Sequence, residues 1–163
     1  MYGIGGKIDD PQMLGQIQQC FDRLLKNEPL QYVLGKTWFC GLELMVAPGV
    51  LIPRPESEEL VEWVVKNHEY EQHEIEIVDI GTGSGCLALA LKSNMPGAMV
   101  TGVDISEPAL ALSSKNAARC HLDVNWLKLD ILSEKCPVDT HRKLVVVSNP
   151  PYVIESEKAS MDG

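Results

Sequence analysis

Asn149-Pro150-Pro151-Tyr152 follows the apolar run Leu144 to Ser148 and is the stretch of this chain best equipped for chemistry. A strand that ends this way delivers one side-chain amide, two residues without a backbone N–H, and then an aromatic ring. Proline fixes φ and removes the donor, so such a loop is stiff and offers carbonyl oxygens to whatever sits above it. It suits a planar NH2 group, whose two hydrogens need acceptors and whose face needs a ring. A bare Pro-Pro pair is better explained as a turn after a buried strand, so the motif gains meaning from its company.

That company is Ile77-Val78-Asp79-Ile80-Gly81-Thr82-Gly83-Ser84-Gly85-Cys86, followed by Leu87 to Leu91. The pattern reads as a buried strand, a glycine-rich turn and a helix, the usual setting for a nucleotide-type ligand at a helix N-terminus. Free N–H groups of the first turn would favour the ligand's negative end. The spacing is Gly-x-Gly-x-Gly rather than the Gly-x-Gly-x-x-Gly of dinucleotide enzymes. Asp104 ends the next apolar run, Met99 to Asp104, and an acid about 20 residues beyond such a turn accepts ribose hydroxyls.

These residues need a frame. Ile75–Ile80, Met99–Asp104, Val124–Leu127 and Leu144–Ser148 read as strands, with helices over Ser84–Asn94 and Glu107–Cys120. The alternation predicts a doubly wound parallel α/β fold, whose ligands bind outside the carboxyl ends of the strands. Gly81 to Gly85, Asp104, Asp130 and Asn149 all fall at such ends, which makes them one site. Upstream, Asp10-Pro11 caps a helix with a stripe of Leu14, Ile17, Phe21, Leu24 and Leu25 that ends near Asn27. Thr37 to Val46 reads as a hairpin around Cys40-Gly41. Pro55 opens another helix with Leu60, Val61, Val64 and Val65 inward. Its first-turn acids Glu56, Glu58 and Glu59 complement the helix dipole.

Composition narrows the class. The 163 residues are 45% hydrophobic and 23% charged, as in an average globular domain. No apolar run approaches the ~20 residues of a membrane span, and Met1 to Asp10 has no secretory pattern. Cys20, Cys40, Cys86, Cys120 and Cys136 are odd in number and unpatterned, which suggests reduced thiols in a cytosolic protein. His68, His73, His121 and His141 show no ligand spacing, so no metal site is expected. The net charge of −9 and the dispersed cations speak against a nucleic-acid substrate and favour a protein one.

The motifs in order resemble the HemK/PrmC family, methyltransferases that use S-adenosylmethionine to modify a glutamine of peptide chain release factors. Glu28 to Gly35 is similar to the segment leading into the family's hairpin. Leu51-Ile52-Pro53-Arg54-Pro55-Glu56-Ser57-Glu58 resembles its Pro-Arg-Pro-Glu-Thr-Glu signature, with Ser57 in place of threonine. Asp79 to Gly85, Asp104 and Val147 to Tyr152 complete the match, from about Glu28 to Met161. Asn-Pro-Pro-Tyr also occurs in adenine-amino methyltransferases, so Pro53 to Glu58 carries the choice.

The resemblance implies a Rossmann-like class I methyltransferase with S-adenosylmethionine as cofactor. Gly81, Thr82, Gly83, Ser84 and Gly85 would line its methionine part, Asp104 its ribose, and Asp130 and Ile131 its adenine, with Asn149 also among the cofactor-binding residues. Asn149 and the Pro150 carbonyl would grip the target amide, with Pro151 and Tyr152 completing the substrate loop and Tyr152 packing against it. Arg54 and Glu56 stand near the pocket mouth, where a structural ion pair is the competing role.

The resemblance further implies that residues 1–35 are a remnant of an N-terminal helical domain. Residues 36–74 would be hairpin and linking helix, and residues 75–163 the first part of the methyltransferase domain. The sheet is expected to be incomplete in a truncated chain, leaving Leu144 to Ser148 as an exposed edge prone to self-association. An adenine-amino methyltransferase acting on DNA or RNA, and a non-catalytic cofactor-binding fragment, are the alternatives.

Overall fold

The computed structural model describes residues 10–68, 70–138 and 141–150. Helix α1 (Pro11–Leu25) opens on Asp10, whose side chain accepts from the Gln12 N–H at 2.9 Å, with proline in its first turn. Its apolar stripe is not buried: Leu14, Ile17, Phe21 and Leu25 all remain exposed. The helix is tied down from its end instead. The Arg23 guanidinium pairs with Glu28 and donates to the carbonyls of Tyr32 and Val33, in the short helix α2 (Leu30–Leu34). The sequence pattern does not reveal α2, because five residues are too few to display a helical period.

Strands β1 (Lys36–Phe39) and β2 (Leu42–Met45) form the expected hairpin, pairing Lys36 with Met45 and Phe39 with Leu42. Cys40 and Gly41 both take positive φ, 45° and 76°, as a two-residue turn matched to strand twist requires. Helix α3 (Glu56–His68) begins one residue after Pro55. Glu58 does more than face the helix dipole: its Oε1 accepts the Cys40 N–H at 2.8 Å, which fastens the start of α3 to the hairpin turn.

From there the chain alternates through β3 (Ile75–Ile80), α4 (Cys86–Asn94), β4 (Met99–Asp104), α5 (Glu107–Cys120), β5 (Asn125–Lys128) and β6 (Lys143–Ser148). The expected elements are present with small shifts at three of them, β6 starting at Lys143 rather than Leu144. Strand β5 starts at Asn125 rather than Val124, and α4 starts at Cys86 rather than Ser84, because Gly85 turns left-handed at φ 81° and becomes its cap. The sheet is parallel, in the order β5-β4-β3-β6. The chain steps outward from β3 through β4 to β5, then returns to the other side of β3. That reversal opens a crevice between the carboxyl ends of β3 and β6. Ile80 pairs with Ser148 there, so Gly81 and Asn149 leave the sheet side by side.

The core lies between the sheet and its helices. Ile75, Ile77 and Val100 pack with Leu87, Leu89 and Leu91 of α4, and Phe39, Leu44, Val61 and Val64 join them from the hairpin and α3. Among the described residues β6 has β3 as its one strand neighbour, and Leu144 and Val146 are 44% and 54% exposed. The expected open edge is therefore present in the described part of the sheet.

Candidate functional site

The glycine turn is shaped mostly by the protein's own backbone. Gly81 and Thr82 donate their N–H groups to the Val103 carbonyl at 2.8 and 3.0 Å, and Gly85 donates to Thr82. Gly83 donates to Asp104 Oδ2 at 2.9 Å. Closing the turn thus uses the N–H groups of Gly81, Thr82 and Gly83 against β4 and that of Gly85 within the turn itself. Gly85 is required twice over, by its positive φ and by crowding. A Cβ there would lie 2.9 Å from both Ser113 of α5 and the Trp126 ring.

Beneath the turn lies Asp79, which is 1% exposed. Its Oδ2 accepts from the Thr82 hydroxyl at 2.6 Å and from the Ala88 N–H at 3.2 Å. Oδ1 has no partner among the described residues, and neither does the buried hydroxyl of Ser84. Burial pushes the Asp79 pKa up to about 6, with the Asp104 charge adding to it and the two hydrogen bonds opposing it. The sequence reading placed Asp79 in the motif without giving it a role. A carboxylate three residues before a threonine in such a turn was the available signal. Desolvation also pushes the neighbouring Cys86 thiol up to about 12, which favours its protonated form at neutral pH.

Two cavities meet over Gly81, Asp104 and Ile105. The larger, about 430 Å³, takes in Asp79, the turn residues 81–84, Val50 and Pro53, and reaches Asn149. The smaller, about 260 Å³, is walled by Ile80, Leu129, Asp130, Ile131 and Leu132. Asp104 stands between them, its carboxylate accepting the N–H groups of Gly83 and Ser106, both at 2.9 Å. Asp130 Oδ1 accepts the Leu132 N–H and Oδ2 the Ser133 hydroxyl, which holds the loop that carries Ile131.

A third cavity, about 450 Å³, opens on the far side of Asn149 and is lined by Arg54, Glu56, Ser57, Leu60, Ser148 and Asn149. Asn149 lines both this cavity and the large cleft. Its Nδ2 donates to the Ser57 hydroxyl at 2.8 Å. Arg54 and Glu56 are exposed and form no ion pair with each other among the described residues. Pro150 is exposed, while Pro151 and Tyr152 lie outside the described residues.

The walls of the large cleft are set by contacts that no motif announces. Tyr32 donates its hydroxyl to the Val50 carbonyl at 2.8 Å. Asn116 of α5, fully buried, accepts the Met45 N–H and donates to the carbonyls of Met45 and Ser84. One amide thus joins the hairpin edge to the glycine turn. Within a sequence Asn116 is an ordinary polar residue on an amphipathic helix, and nothing distinguishes it.

A parallel sheet with this order, and a cleft at its reversal point, is a Rossmann-like arrangement, and the family model and solved structures that the chain matches make it the class I S-adenosylmethionine-dependent methyltransferase fold. The chain belongs to the methyltransferase small domain family, whose model matches residues 57–161. It is 45% identical over 147 residues to the release factor glutamine methyltransferase of Bacteroides thetaiotaomicron, covering 90% of this chain and 51% of that protein. It is 39% identical over 161 residues to the human MTRF1L release factor glutamine methyltransferase, covering 90% and 46%. The chain spans about half the length of the curated relatives it matches. Among solved structures, the Thermus thermophilus 16S rRNA N2 G1207 methyltransferase, in complex with AdoMet and guanosine, superposes with a TM-score of 0.55. It is 25% identical and covers 74% of this chain and 33% of that one. The N-terminal domain of human METTL16, 17% identical with a TM-score of 0.59 over 99% of this chain and 77% of that one, shares the fold.

Proposed function

We propose that this chain carries the cofactor and acceptor sites of a methyltransferase that modifies the side-chain amide of a glutamine in a peptide chain release factor, with S-adenosylmethionine as methyl donor. One observation carries the reading: Asn149 stands between the glycine-turn cleft and the cavity lined by Arg54 and Ser57. A side chain at that junction can meet a donor on one side and an acceptor on the other.

The cleft suits the cofactor. Asp79 Oδ1 and the Ser84 hydroxyl are buried without partners among the described residues, beside the same cavity, and a buried polar atom left unsatisfied costs about 1–3 kcal/mol. The ammonium and carboxylate of an amino acid would supply what each lacks. Asp104 lines both cavities, and its carboxylate could accept further hydrogen bonds from the hydroxyls of a ribose. The apolar walls of Ile80, Leu129 and Ile131 would cover a base. When bound, the cofactor supplies an electrophilic methyl group on a sulfonium.

The protein's own part is to hold the acceptor. An amide nitrogen is a poor nucleophile because its lone pair is delocalised into the carbonyl. Asn149 Oδ1 and the Pro150 carbonyl would accept its two hydrogens, fix its orientation, and favour a pyramidal nitrogen. Tyr152 would cover its face. Such positioning and preorganised dipoles can supply about 7–11 kcal/mol when geometry is ideal.

The glutamine acceptor is supported by the relatives, which are named for that activity, and by the acidic balance of the chain, −9, which is ill suited to a nucleic acid. Five free cysteines suit a cytoplasmic protein acting beside the translation machinery, and no helix among the described residues is long and apolar enough to cross a membrane. The open edge of β6 would favour self-association. Calorimetry with S-adenosylhomocysteine followed by transfer of labelled methyl to a release factor with its Gly-Gly-Gln loop tests the reading. Binding plus labelling of that glutamine is expected; labelling of DNA or RNA instead would overturn the acceptor assignment.

A further inference from the structure

We propose that Ser57 is a positioning residue for methyl transfer: its hydroxyl accepts from Asn149 Nδ2 and thereby turns Asn149 Oδ1 toward the acceptor. The proposal rests on the reading above, in which Asn149 grips the acceptor's NH2 group. An asparagine amide has two ends of nearly equal shape and opposite hydrogen-bond character. Flipped, it would face an incoming NH2 with its own donors, and the site would repel its substrate. Some group must therefore define which end points outward.

The structure assigns that task to Ser57. Its Oγ lies 2.8 Å from Asn149 Nδ2, across 92 residues of sequence. Both partners are held. On one wall, the Ser57 N–H donates to the Arg54 carbonyl at 3.0 Å. The adjacent Glu58 binds the hairpin turn through the Cys40 N–H. On the other wall, Ser148 pairs with Ile80 in the ladder and donates its hydroxyl to the Ile80 carbonyl at 2.8 Å. The backbone leading to Asn149 is thus set by the sheet, and what remains to be fixed is the rotation of its side chain. Arg54 and Glu56 share the cavity but make no hydrogen bond to Asn149 among the described residues.

The test compares the chain with Ser57→Ala and Ser57→Thr, using Asn149→Ala to assign the Asn149 side-chain amide signals by NMR. Ser57→Ala is expected to move those signals and speed their exchange with water, and Ser57→Thr to restore them. Unmoved signals in Ser57→Ala overturn the proposal. In labelled-methyl assays Ser57→Ala should lower kcat about 10–100-fold, with KM for the release factor and Kd for S-adenosylhomocysteine within about threefold, and Ser57→Thr should recover most of the rate. A changed Kd or melting temperature with kcat intact would make Ser57 a purely structural residue and overturn the proposal too. Absence of any transfer by the unmutated chain would strike the proposed function alone, and the amide spectra would still decide the Ser57 contact.

Discussion

Strand β3 is buried along almost all its length, whereas β6, its neighbour and the bearer of Asn149, exposes Leu144, Val146 and Ser148. The turn after β3 closes on itself and on β4 through backbone hydrogen bonds. Asn149 is held instead by a distant side chain, Ser57, across the mouth of the cleft. The proposed cofactor side is thus a piece of the core, and the proposed acceptor side a surface assembled from separate elements. Changes on the first should cost stability; changes on the second should cost transfer.

The sharpest test of that contrast is Gly85→Ala. It combines a left-handed φ of 81° with a Cβ placed 2.9 Å from Ser113 and Trp126. The conformational cost of about 1–2 kcal/mol and an overpacking cost of about 1–3 kcal/mol should together lower unfolding free energy by about 2–5 kcal/mol in chemical denaturation. Gly81→Ala, with positive φ but nothing within 4 Å, should show only the first cost. Equal losses at the two positions would contradict the crowding argument.

Asn149→Ala should behave in the opposite way. Loss of one preorganised group is expected to reduce kcat about 100–1000-fold, leaving S-adenosylhomocysteine affinity within a few-fold and stability within about 1 kcal/mol. A collapse of cofactor binding in calorimetry would place Asn149 on the wrong side of the comparison.

In the proposed reading Asp79 joins stability to binding. Its folded pKa is about 6 against 3.8 when unperturbed, so the folded state holds the proton more tightly. Its contribution is fully present below pH 3.8 and is lost as pH rises through 6, by on the order of 3 kcal/mol. Asp79→Asn should remove this slope from a pH series of unfolding curves, leave the cofactor-free protein more stable at pH 7, and weaken S-adenosylhomocysteine binding. An unchanged slope would mean that Asp79 is not the group responsible.

The smallest effect is expected at the open edge. Val146, 54% exposed, should tolerate lysine with a stability change within about 0.5 kcal/mol. Sedimentation at rising concentration should show less self-association in Val146→Lys than in the unmutated chain, as a charged edge resists pairing.

Much of the frame was legible in the residues. Glycines at fixed spacing, Asp10-Pro11 as a cap, Cys40-Gly41 as a turn and apolar runs as buried strands are local decisions of backbone and hydration. They gave β3, β4 and α5 to the residue and missed β5 by one. The five-residue α2 escaped because its period is too short to register. The candidate site was legible as a set of strand ends, but not as a set of contacts. Asp79 was visible without a role, and Asn116 and the hydrogen bond between Ser57 and Asn149 were not visible at all.

What the sequence determined by itself is therefore the kind of protein: a parallel α/β domain with a glycine turn, an acid at the next strand end, and an amide followed by prolines. Those features are written in short windows because φ, donor count and periodicity are local properties. The tertiary structure decided which polar atoms are spent and which are left over. Folding used N–H groups of the glycine turn against β4, left Asp79 Oδ1 and the Ser84 hydroxyl without partners among the described residues, and brought Ser57 to Asn149. Such outcomes depend on burial and on contacts between residues far apart in the chain, which no local pattern encodes.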